Sequence, residues 1–410
     1  MIQELVIVTG ILIIIEIIFL VWVKIVRKNF QWFITSSDLK PNLSQDGLKK
    51  FFDHGYDNEL GWVRKPNTFH NEIGRGGEVK WTTNEFGART NPGFDLSPSS
   101  ISCYGDSFTF CRQVNDDETW EHFLSKEINQ NVINFGVGNY GLDQSVLRIK
   151  REYPLHNTKI IILGIVPDTI SRIHSCWKHY YEYGNTCGFK PRFKISNNKL
   201  ELVKNFLDKE EKFLKYNDFL KNIQDSDYFY REKFVKEIIK FPYSISILKN
   251  VKRNFGILFW VTTNELLKKF KKNSTYYDWK PMQIIMKINL KWRLKLFKDE
   301  MALKLFKEIV YMYLELGRQQ NFIPILTLLP QKDDIIEIKK SGDYLKKITE
   351  EFKKLDGLLY FDVIEKFLEK ENLNNLYSED NDYGGHFSKE GNKEIAKIFK
   401  EYLEKAKLIN

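Results

Sequence analysis

The most uneven feature of the hydrophobic pattern is a long apolar stretch near the N-terminus. Residues 5–23 read LVIVTGILIIIEIIFLVWV, and Glu16 is their only charged side chain. A helix needs about 20 mostly apolar residues to cross the hydrocarbon core of a bilayer. The stretch is too long for the core of a signal peptide, and no small-residue cleavage site follows it. The sequence therefore predicts a single-pass transmembrane anchor over residues 1–23, with an uncleaved signal or a buried helix as alternatives.

The charges that flank this stretch bear on its orientation. Lys24, Arg27 and Lys28 follow it, whereas Glu4 is the only charged side chain before it. An excess of basic residues is typical of the cytoplasmic side of a membrane helix. The charges therefore favour a body in the cytoplasm, but one helix with few flanking charges leaves the side of the membrane open.

Downstream of the apolar stretch, the pattern alternates between strand and helix periods. Short apolar runs predict strands, and longer runs with one apolar face predict helices. Strands that alternate with helices favour a parallel sheet covered on both faces. The sequence therefore predicts an α/β fold, a three-layer sandwich with a central parallel sheet. The predicted strands cover residues 101–104, 132–135, 159–166, 322–330 and 358–363, and the predicted helices cover residues 119–128, 144–153, 301–319, 340–354 and 389–407.

The alternation is interrupted after Phe193. Residues 200–300 are rich in Lys and aromatic residues and read as mainly helical. A segment of about a hundred residues is near the lower end of an independent domain. The predicted organisation is an anchor (1–23), a connector (24–50), the first part of an α/β domain (51–199), a basic helical insertion (200–300) and the last part of that domain (301–410).

Composition narrows the class of protein. The chain has 410 residues, and its aromatic content of 15% is enough to build a large core, which argues against disorder. Only 23 Gly and 11 Pro are present, which excludes collagen-like sequences.

The four cysteines, Cys103, Cys111, Cys176 and Cys187, form no CxxC pair and have no His at zinc-site spacing. Ordinary thiols are therefore favoured over a disulfide or a metal site.

The formal net charge of +9 is concentrated in the insertion. Basic helices that carry aromatic residues can lie against anionic lipid. A solvated helical face is the alternative, and nucleic acid is disfavoured because no recognised binding motif is present. The residues concerned are Lys268, Lys269, Lys271, Lys272, Lys291, Arg293, Lys295 and Lys298, among Phe259, Trp260, Phe270, Trp279 and Trp292.

Two groups of polar residues follow predicted strands, and a third precedes the last predicted helix. In open parallel sheets, ligands bind beyond the carboxyl ends of the strands. The first group is Gly105-Asp106-Ser107, which can expose a serine hydroxyl at a helix N-terminus; a plain helix N-cap is the alternative. The second is 134–141, NFGVGNYG, where Asn139 offers an amide donor. It lacks the spacing of a dinucleotide site. The third is 380–388, DNDYGGHFS, where His386 stands beside acids in a Gly-rich loop, as a general base would.

Together these three segments resemble the SGNH (GDSL-type) hydrolase family. The match runs from about Ser102 to Ile398 without the insertion, somewhat over half of the chain. The resemblance implies a flavodoxin-like three-layer fold and ester hydrolysis through an acyl-enzyme, with no metal and no cofactor. It implies Ser107 as the nucleophile and His386 as the base. It also implies an oxyanion hole formed by Ser107, Gly138 and Asn139.

Two positions depart from the family pattern. The family places an Asp three residues before the His, where this chain has Tyr383, so Asp382 is the nearest substitute for orienting His386. The family also has an Asn after the third strand, whereas this chain reads Gly164-Ile-Val-Pro-Asp168. Asn139 is the hypothetical replacement for that oxyanion donor.

Aromatic and basic residues follow the strand at 159–166 and are candidates for the substrate cleft. Aromatic faces beside cationic donors suit sugars or acidic glycans, whereas a packed loop is an equally weighted alternative. The predicted substrate-binding residues are Trp177, Lys178, His179, Lys190 and Arg192.

The leading hypothesis is a membrane-anchored serine esterase that acts on an O-acylated glycan or envelope saccharide. A lipid ester is the alternative substrate, and an acyltransferase would use the same residues. A membrane-tethered binding or assembly protein that has lost activity is the rival from another class, because a fold does not fix a function. The expected partners are the bilayer, through the N-terminal helix, and the ester substrate; no nucleic acid is expected, and the oligomeric state is open.

Overall fold

A computed structural model describes residues 1–74, 77–94, 99–270, 279–378 and 383–409. The strands are β1 (Tyr56–Asp57), β2 (Gly61–Trp62), β3 (Phe69–Gly74), β4 (Gly77–Thr82), β5 (Ser99–Gly105), β6 (Asn131–Gly136), β7 (Ile160–Ile165), β8 (Arg192–Ser196), β9 (Lys199–Val203), β10 (Ile323–Leu328) and β11 (Leu359–Phe361). The helices up to the insertion are α1 (Ile2–Asn29), α2 (Gln45–His54), α3 (Ser107–Phe110), α4 (Trp120–Ile128), α5 (Leu142–Glu152), α6 (Thr169–Arg172) and α7 (Lys178–Glu182). The later helices are α8 (Glu210–Leu214), α9 (Leu220–Ser226), α10 (Val235–Glu237), α11 (Tyr243–Lys249), α12 (Val251–Phe270), α13 (Lys280–Leu296), α14 (Glu300–Gln320), α15 (Lys332–Ser341), α16 (Lys346–Lys353), α17 (Val363–Leu368) and α18 (Lys389–Lys405).

A five-stranded parallel sheet forms the centre of the body. Its strands lie in the order β11-β10-β7-β5-β6, and all neighbouring pairs are parallel. Every residue of β7 is buried, which explains its nearly continuous apolar sequence, because a parallel sheet is covered on both faces. The predicted α/β fold is confirmed.

The order of the strands locates the most favourable place for a ligand. The chain forms β5 first, adds β6 on one side, and then crosses to place β7 on the other side. In such doubly wound sheets, ligands bind beyond the carboxyl ends of the strands at the point where this direction reverses. That point lies between β5 and β7, directly beyond Gly105.

Helices cover the sheet in packed pairs. Trp120 of α4 makes an edge contact with Phe399 of α18, with the ring centroids 4.7 Å apart. On α14, which packs against α5, the buried hydroxyl of Tyr313 donates to the carbonyl oxygen of Ile161 at 2.8 Å. These contacts hold the long helices against the strands and complete the layers that the sequence predicts.

The helix predicted over 340–354 is divided in the structure. α15 ends at Ser341, and α16 begins at Lys346. Gly342 has a φ of +90°, a conformation that glycine adopts without strain and that ends a helix. The prediction of one helix was therefore wrong at its first turn, because a single glycine ends α15 before the periodicity resumes.

α1 is long and apolar enough to cross a membrane, with a mean hydropathy of 3.0 over its most apolar 18 residues. Most of its residues before Val23 are exposed. It extends beyond the predicted boundary at residue 23 because Val23 and Val26 are buried against the body. The predicted connector therefore begins with the last turns of this helix.

The insertion begins with an antiparallel hairpin, β8–β9, so the predicted boundary at residue 200 falls within β9. The helices α8 to α13 follow. α12 packs against α13, and α13 packs against α6, the short helix that follows β7. The insertion therefore returns to the carboxyl edge of the sheet and covers part of it.

Candidate active site

Three glycines at the carboxyl ends of neighbouring strands create space above the sheet. Gly136, Gly105 and Gly164 stand opposite one another on β6, β5 and β7. A Cβ atom on Gly105 would lie 1.8 Å from the carbonyl oxygen of Gly164, and one on Gly136 would lie 2.3 Å from the backbone nitrogen of Phe110. Only glycine allows this approach, and it lets the turn that starts at Ser107 rest directly on the strand ends.

The turn that carries Ser107 is fixed by side-chain hydrogen bonds. Asp106 caps α3 by accepting from the backbone N–H of Phe108 at 2.9 Å. The hydroxyl of Thr109 donates to the carbonyl oxygen of Gly164 at 2.7 Å, and the amide of Asn134 donates to the carbonyl oxygen of Thr109 at the same distance. Ser107 is therefore held at the first position of a short helix above the sheet.

Ser107 and His386 meet, although they are 279 positions apart in the chain. Nε2 of His386 lies 2.8 Å from Oγ of Ser107, within hydrogen-bonding distance. The imidazole ring packs against the ring of Phe108, with centroids 4.8 Å apart. A serine hydroxyl within hydrogen-bonding distance of an imidazole is the geometry that activation of a serine nucleophile requires.

Two glycines before His386 shape the loop that carries it. Gly384 and Gly385 have φ values of +71° and +84°, which glycine tolerates without strain. The backbone N–H of Gly384 donates to Oδ1 of Asp333 at 3.3 Å. Asp382, the acid expected to orient His386, lies outside the described residues and stays a prediction.

A buried ion pair lies beneath Ser107. Oδ2 of Asp106 accepts from the backbone N–H of Val166 at 2.9 Å and from the guanidinium of Arg172 at 3.1 Å. Arg172 also donates to the carbonyl oxygen of Tyr140 at 3.0 Å. Burial raises the pKa of the Asp106 carboxyl, while Arg172 acts in the opposite direction. Arg172 was not among the predicted site residues; its position just beyond the end of β7 was the available signal.

The turn after β6 brings possible oxyanion donors to Ser107. A Cβ atom on Gly138 would lie 4.0 Å from Cβ of Ser107, and the indole of Trp62 fixes the turn by donating to the carbonyl oxygen of Gly138 at 3.0 Å. Asn139 has a φ of +66°, a region in which Asn is enriched among residues other than glycine. Within the described part of the chain, the backbone N–H groups of Ser107, Gly138 and Asn139 donate to no protein acceptor.

Replacing Asn139 by glycine separates its two possible contributions. Glycine keeps the positive φ and the backbone N–H but removes the side-chain amide. If this amide donates to the oxyanion, kcat for an activated aryl ester should fall by about 10²–10³. Steady-state kinetics measure the fall, and a thermal melt should show a folded protein. An unchanged kcat in N139G would assign the turn's contribution to the backbone alone.

The five predicted substrate-binding residues do not line the cavities at Ser107. Trp177 is fully buried and stacks on Phe189 with centroids 4.6 Å apart. The charged residues are paired or bonded to carbonyl groups, as burial of charge requires. Lys178 pairs with Glu182 at 2.8 Å, and Lys190 pairs with Asp143 at 2.5 Å. Arg192 donates to the carbonyl oxygen of His174 at 2.8 Å, and Nε2 of His179 lies 2.9 Å from the carbonyl oxygen of Asp38. The packed-loop alternative describes their environment.

The buried side chain of His174, three residues before Trp177, should make the stability of the protein depend on pH. Burial, and then the charge of Arg192, lower its pKa to about 3. An unfolded histidine titrates near 6.5, so between these pH values the unfolded chain binds a proton that the folded chain does not. The contribution of His174 to the free energy of unfolding should therefore be retained above about pH 6.5 and fall by about 1 kcal/mol per pH unit below it. Denaturant titrations at pH 6 and pH 5 measure this.

The variant His174→Gln should show a smaller fall over the same pH interval, because it has no imidazole to protonate. His54→Gln, at an exposed histidine, is the matched control and should behave as the wild type. Equal slopes for the wild type and H174Q would contradict the assignment.

Two cavities of about 250 Å³ each open onto Ser107, Asn139 and His386. The first, named the arginine cavity for its Arg64 and Arg112, is bordered by residues at the ends of α2 and β2. The α13 cavity lies under the insertion. The arginine cavity is lined by His54, Trp62, Arg64, Arg112 and Asn185, and the α13 cavity by Trp32, Trp279, Met282, Met286, Arg293 and Asp333.

The roof of the α13 cavity is tied to the α/β body by a buried charge cluster. Arg293 of α13 pairs with Asp333 at 2.6 Å and with Asp334 at 2.5 Å, and both acids belong to α15. Removing one partner of a buried ion pair is strongly destabilising, because it leaves uncompensated charge. The insertion is therefore part of the site that it covers.

The thiols and the acidic side chains add no further centre in the described residues. Cys103, Cys111, Cys176 and Cys187 are all free thiols, and burial raises the pKa of each of them. Among the described residues, no group of three or more His, Cys, Asp and Glu side chains is placed to hold a metal ion.

No family model matches the chain, and no curated protein matches it. Among solved structures, it is similar to a protein from Desulfitobacterium hafniense DCB-2 that is assigned to the lipolytic G-D-S-L family. The two chains are 13% identical, the match covers 75% of this chain and 100% of the other, and the TM-score is 0.35. A similarity this distant does not bear on the reaction that the chain performs.

Proposed function

We propose that the chain is a membrane-anchored serine esterase that cleaves an O-acyl ester. The observation that carries the proposal is the 2.8 Å approach of Nε2 of His386 to Oγ of Ser107 at the topological switch point of the sheet. A serine is activated as a nucleophile by such a base. α1, which is long and apolar enough to cross a bilayer, supplies the anchor.

The proposed reaction has two halves. Oγ of Ser107 attacks the ester carbonyl carbon while Nε2 of His386 takes its proton. The tetrahedral intermediate collapses, the alcohol leaves with the proton from Nε2, and the acyl group stays on Ser107. Water then attacks the acyl-enzyme with His386 again as base, which releases the carboxylic acid and restores the serine. Asp382 orients the imidazole and stabilises its protonated form.

The oxyanion would be held by the backbone N–H of Ser107 and by the turn at Gly138-Asn139. Donors that are in place before the reaction cost no reorganisation when the negative charge develops. Asn139 replaces the donor that the resemblance to SGNH hydrolases leads one to expect after β7. The ion pair of Asp106 with Arg172 positions the turn that carries Ser107.

We infer that the substrate is an O-acylated, acidic glycan or envelope saccharide. Two cavities that both reach Ser107 give room for an acyl part and an alcohol part. Arg64, Arg112 and Trp62 all line the arginine cavity, which combines cationic groups with an aromatic ring. Cationic donors beside an aromatic face suit an acidic sugar.

A lipid ester is the second candidate substrate, and the roof of the α13 cavity favours it. Trp32, Met282 and Met286 line this roof. Methionine side chains are flexible and fit irregular apolar groups such as acyl chains. An acyltransferase would use the same residues with a second hydroxyl in place of water.

Labelling with a fluorophosphonate tests the nucleophile. The wild type should be labelled, Ser107→Ala should not, and Ser36→Ala, at an exposed serine, should be labelled like the wild type. No label on folded wild type would favour a tethered binding protein instead. Release of acetate from an acetylated acidic polysaccharide, compared with fatty acid release from phospholipid vesicles, then separates the two substrate classes.

A further inference from the structure

We propose that residues 241–270, which include α11 and α12, enter the bilayer beside α1 and contact lipid acyl chains. The insertion would then be a second membrane-embedded element of the chain. This inference rests on the proposed anchoring by α1. It does not depend on the assignment of the catalytic residues.

The first observation is the environment of Glu16. This acid lies within the most apolar part of α1, where a charged side chain is costly in a membrane. Its carboxylate accepts from the backbone N–H of Tyr243 at 2.6 Å, from that of Ser244 at 3.0 Å, and from the hydroxyl of Ser244. The start of α11 therefore satisfies the carboxylate, which is what an acid inside a bilayer requires.

The second observation is the depth of Glu16 in the membrane. Glu16 lies eight residues before Lys24, the first basic residue after the apolar stretch. At about 1.5 Å of rise per residue, that separation is about 12 Å along the helix. Half of the hydrocarbon core is about 15 Å thick. If Lys24 marks the interface, Tyr243 and Ser244 lie well inside the core, at the level of Glu16.

The third observation is the surface that α11 presents at that level. Phe241, Ile245 and Leu248 are 70%, 53% and 63% exposed. Contiguous exposed apolar surface on a protein marks a partner or a membrane. α1 and the start of α11 also enclose a cavity of about 530 Å³, which Leu12, Ile13, Ile17, Phe241 and Ile245 help to line. Its walls and its size suit an acyl chain.

α12 also packs against α1. Phe255 packs against Phe19 of α1 with centroids 6.3 Å apart, and the indole of Trp22 donates to the hydroxyl of Thr262 at 2.7 Å. Positions 259, 266 and 270 continue the face that carries positions 255 and 262, at helical spacing. That face presents the exposed side chains of Phe259, Leu266 and Phe270.

The opposite face of α12 is buried against the protein. Asn254, Ile257 and Val261 belong to it. A helix with one face on the protein and an apolar face beside a membrane helix is suited to lie in the interfacial layer. Lys268 and Lys269, near its end, can reach the headgroups. The contact is therefore mainly apolar, whereas the sequence pattern pointed to a basic surface.

The placement brings the active site close to the membrane surface. Trp32, Trp279 and Met282 line the α13 cavity and also border a cavity of about 310 Å³ between the end of α1 and α12. A substrate that arrives from the bilayer would meet these three side chains first.

Nitroxide labels on the full chain in lipid nanodiscs test the proposal. Phe241→Cys, Ile245→Cys and Phe259→Cys each receive one label, and the unsubstituted protein measures labelling of the native thiols. Phe69→Cys is the matched control, because Phe69 is 66% exposed but lies on β3. The labels at 241 and 245 should collide often with oxygen and rarely with a water-soluble nickel chelate. The label at 259 should have an intermediate accessibility to both reagents. The label at 69 should collide often with the nickel chelate and rarely with oxygen.

Two results would overturn the proposal. A label at 241 as accessible to the nickel chelate as the label at 69 would place α11 in water. A label at 241 shielded from both reagents would indicate that a protein covers this surface. Leu12→Cys on α1 reports on the anchor: a water-exposed label there would refute the anchoring together with this proposal, whereas fluorophosphonate labelling of Ser107 would stand or fall separately.

Discussion

Replacing His386 by alanine should lower kcat for an activated aryl ester by about 10⁶-fold. Without the imidazole 2.8 Å from its Oγ, Ser107 keeps its proton and is a poor nucleophile. Loss of either member of such a pair costs about as much as loss of the whole unit. KM should change little, because neither residue is needed to hold the substrate in the cavities. Steady-state measurements of aryl alcohol release give both kcat and KM.

The losses of kcat caused by the two substitutions should not multiply. The double variant Ser107→Ala with His386→Ala should be no slower than either single variant, since both remove the same step. His156→Ala is a matched control: this histidine packs against Phe86 and Phe135, away from Ser107, and its loss should leave kcat nearly unchanged. Losses that multiply in the double variant would show that the two residues act separately.

The α/β fold could be predicted because its signal is local. Each strand of the central sheet shows its own apolar run, and every residue of β7 is buried. The helix boundary at Gly342 was missed because the apolar period continues across it, while one residue with a positive φ ends the helix.

The site could be predicted only in part, because its geometry depends on contacts between distant positions. Ser107 and His386 followed from motifs in a family resemblance, and the structure brings them together. The role of Trp177 to Arg192 was not predictable from composition. Whether Lys190 lines a cleft or fills the core depends on Asp143, a partner 47 positions away on α5.

Long-range packing also explains why the roof of the site was missed. Arg293 belongs, by sequence, to a basic helical face that reads as solvated or lipid-bound. In the structure it is buried between Asp333 and Asp334 of α15. A pattern of charges along one helix does not show which of them meet an acid on another element. Glu16 is a similar case, because its partners lie 227 and 228 positions away.

Replacing Asp382 by asparagine should lower kcat by about 10⁴-fold while leaving KM nearly unchanged. An amide keeps the size of the carboxylate but cannot stabilise the protonated imidazole, and it favours the tautomer in which Nε2 carries the proton and cannot act as a base. Asp380→Asn, two residues earlier in the sequence, is the matched control and should retain nearly full activity. Steady-state kinetics on the same aryl ester compare the two. Equal activity in D382N and D380N would show that another acid orients His386, and a larger loss in D380N would assign that role to Asp380.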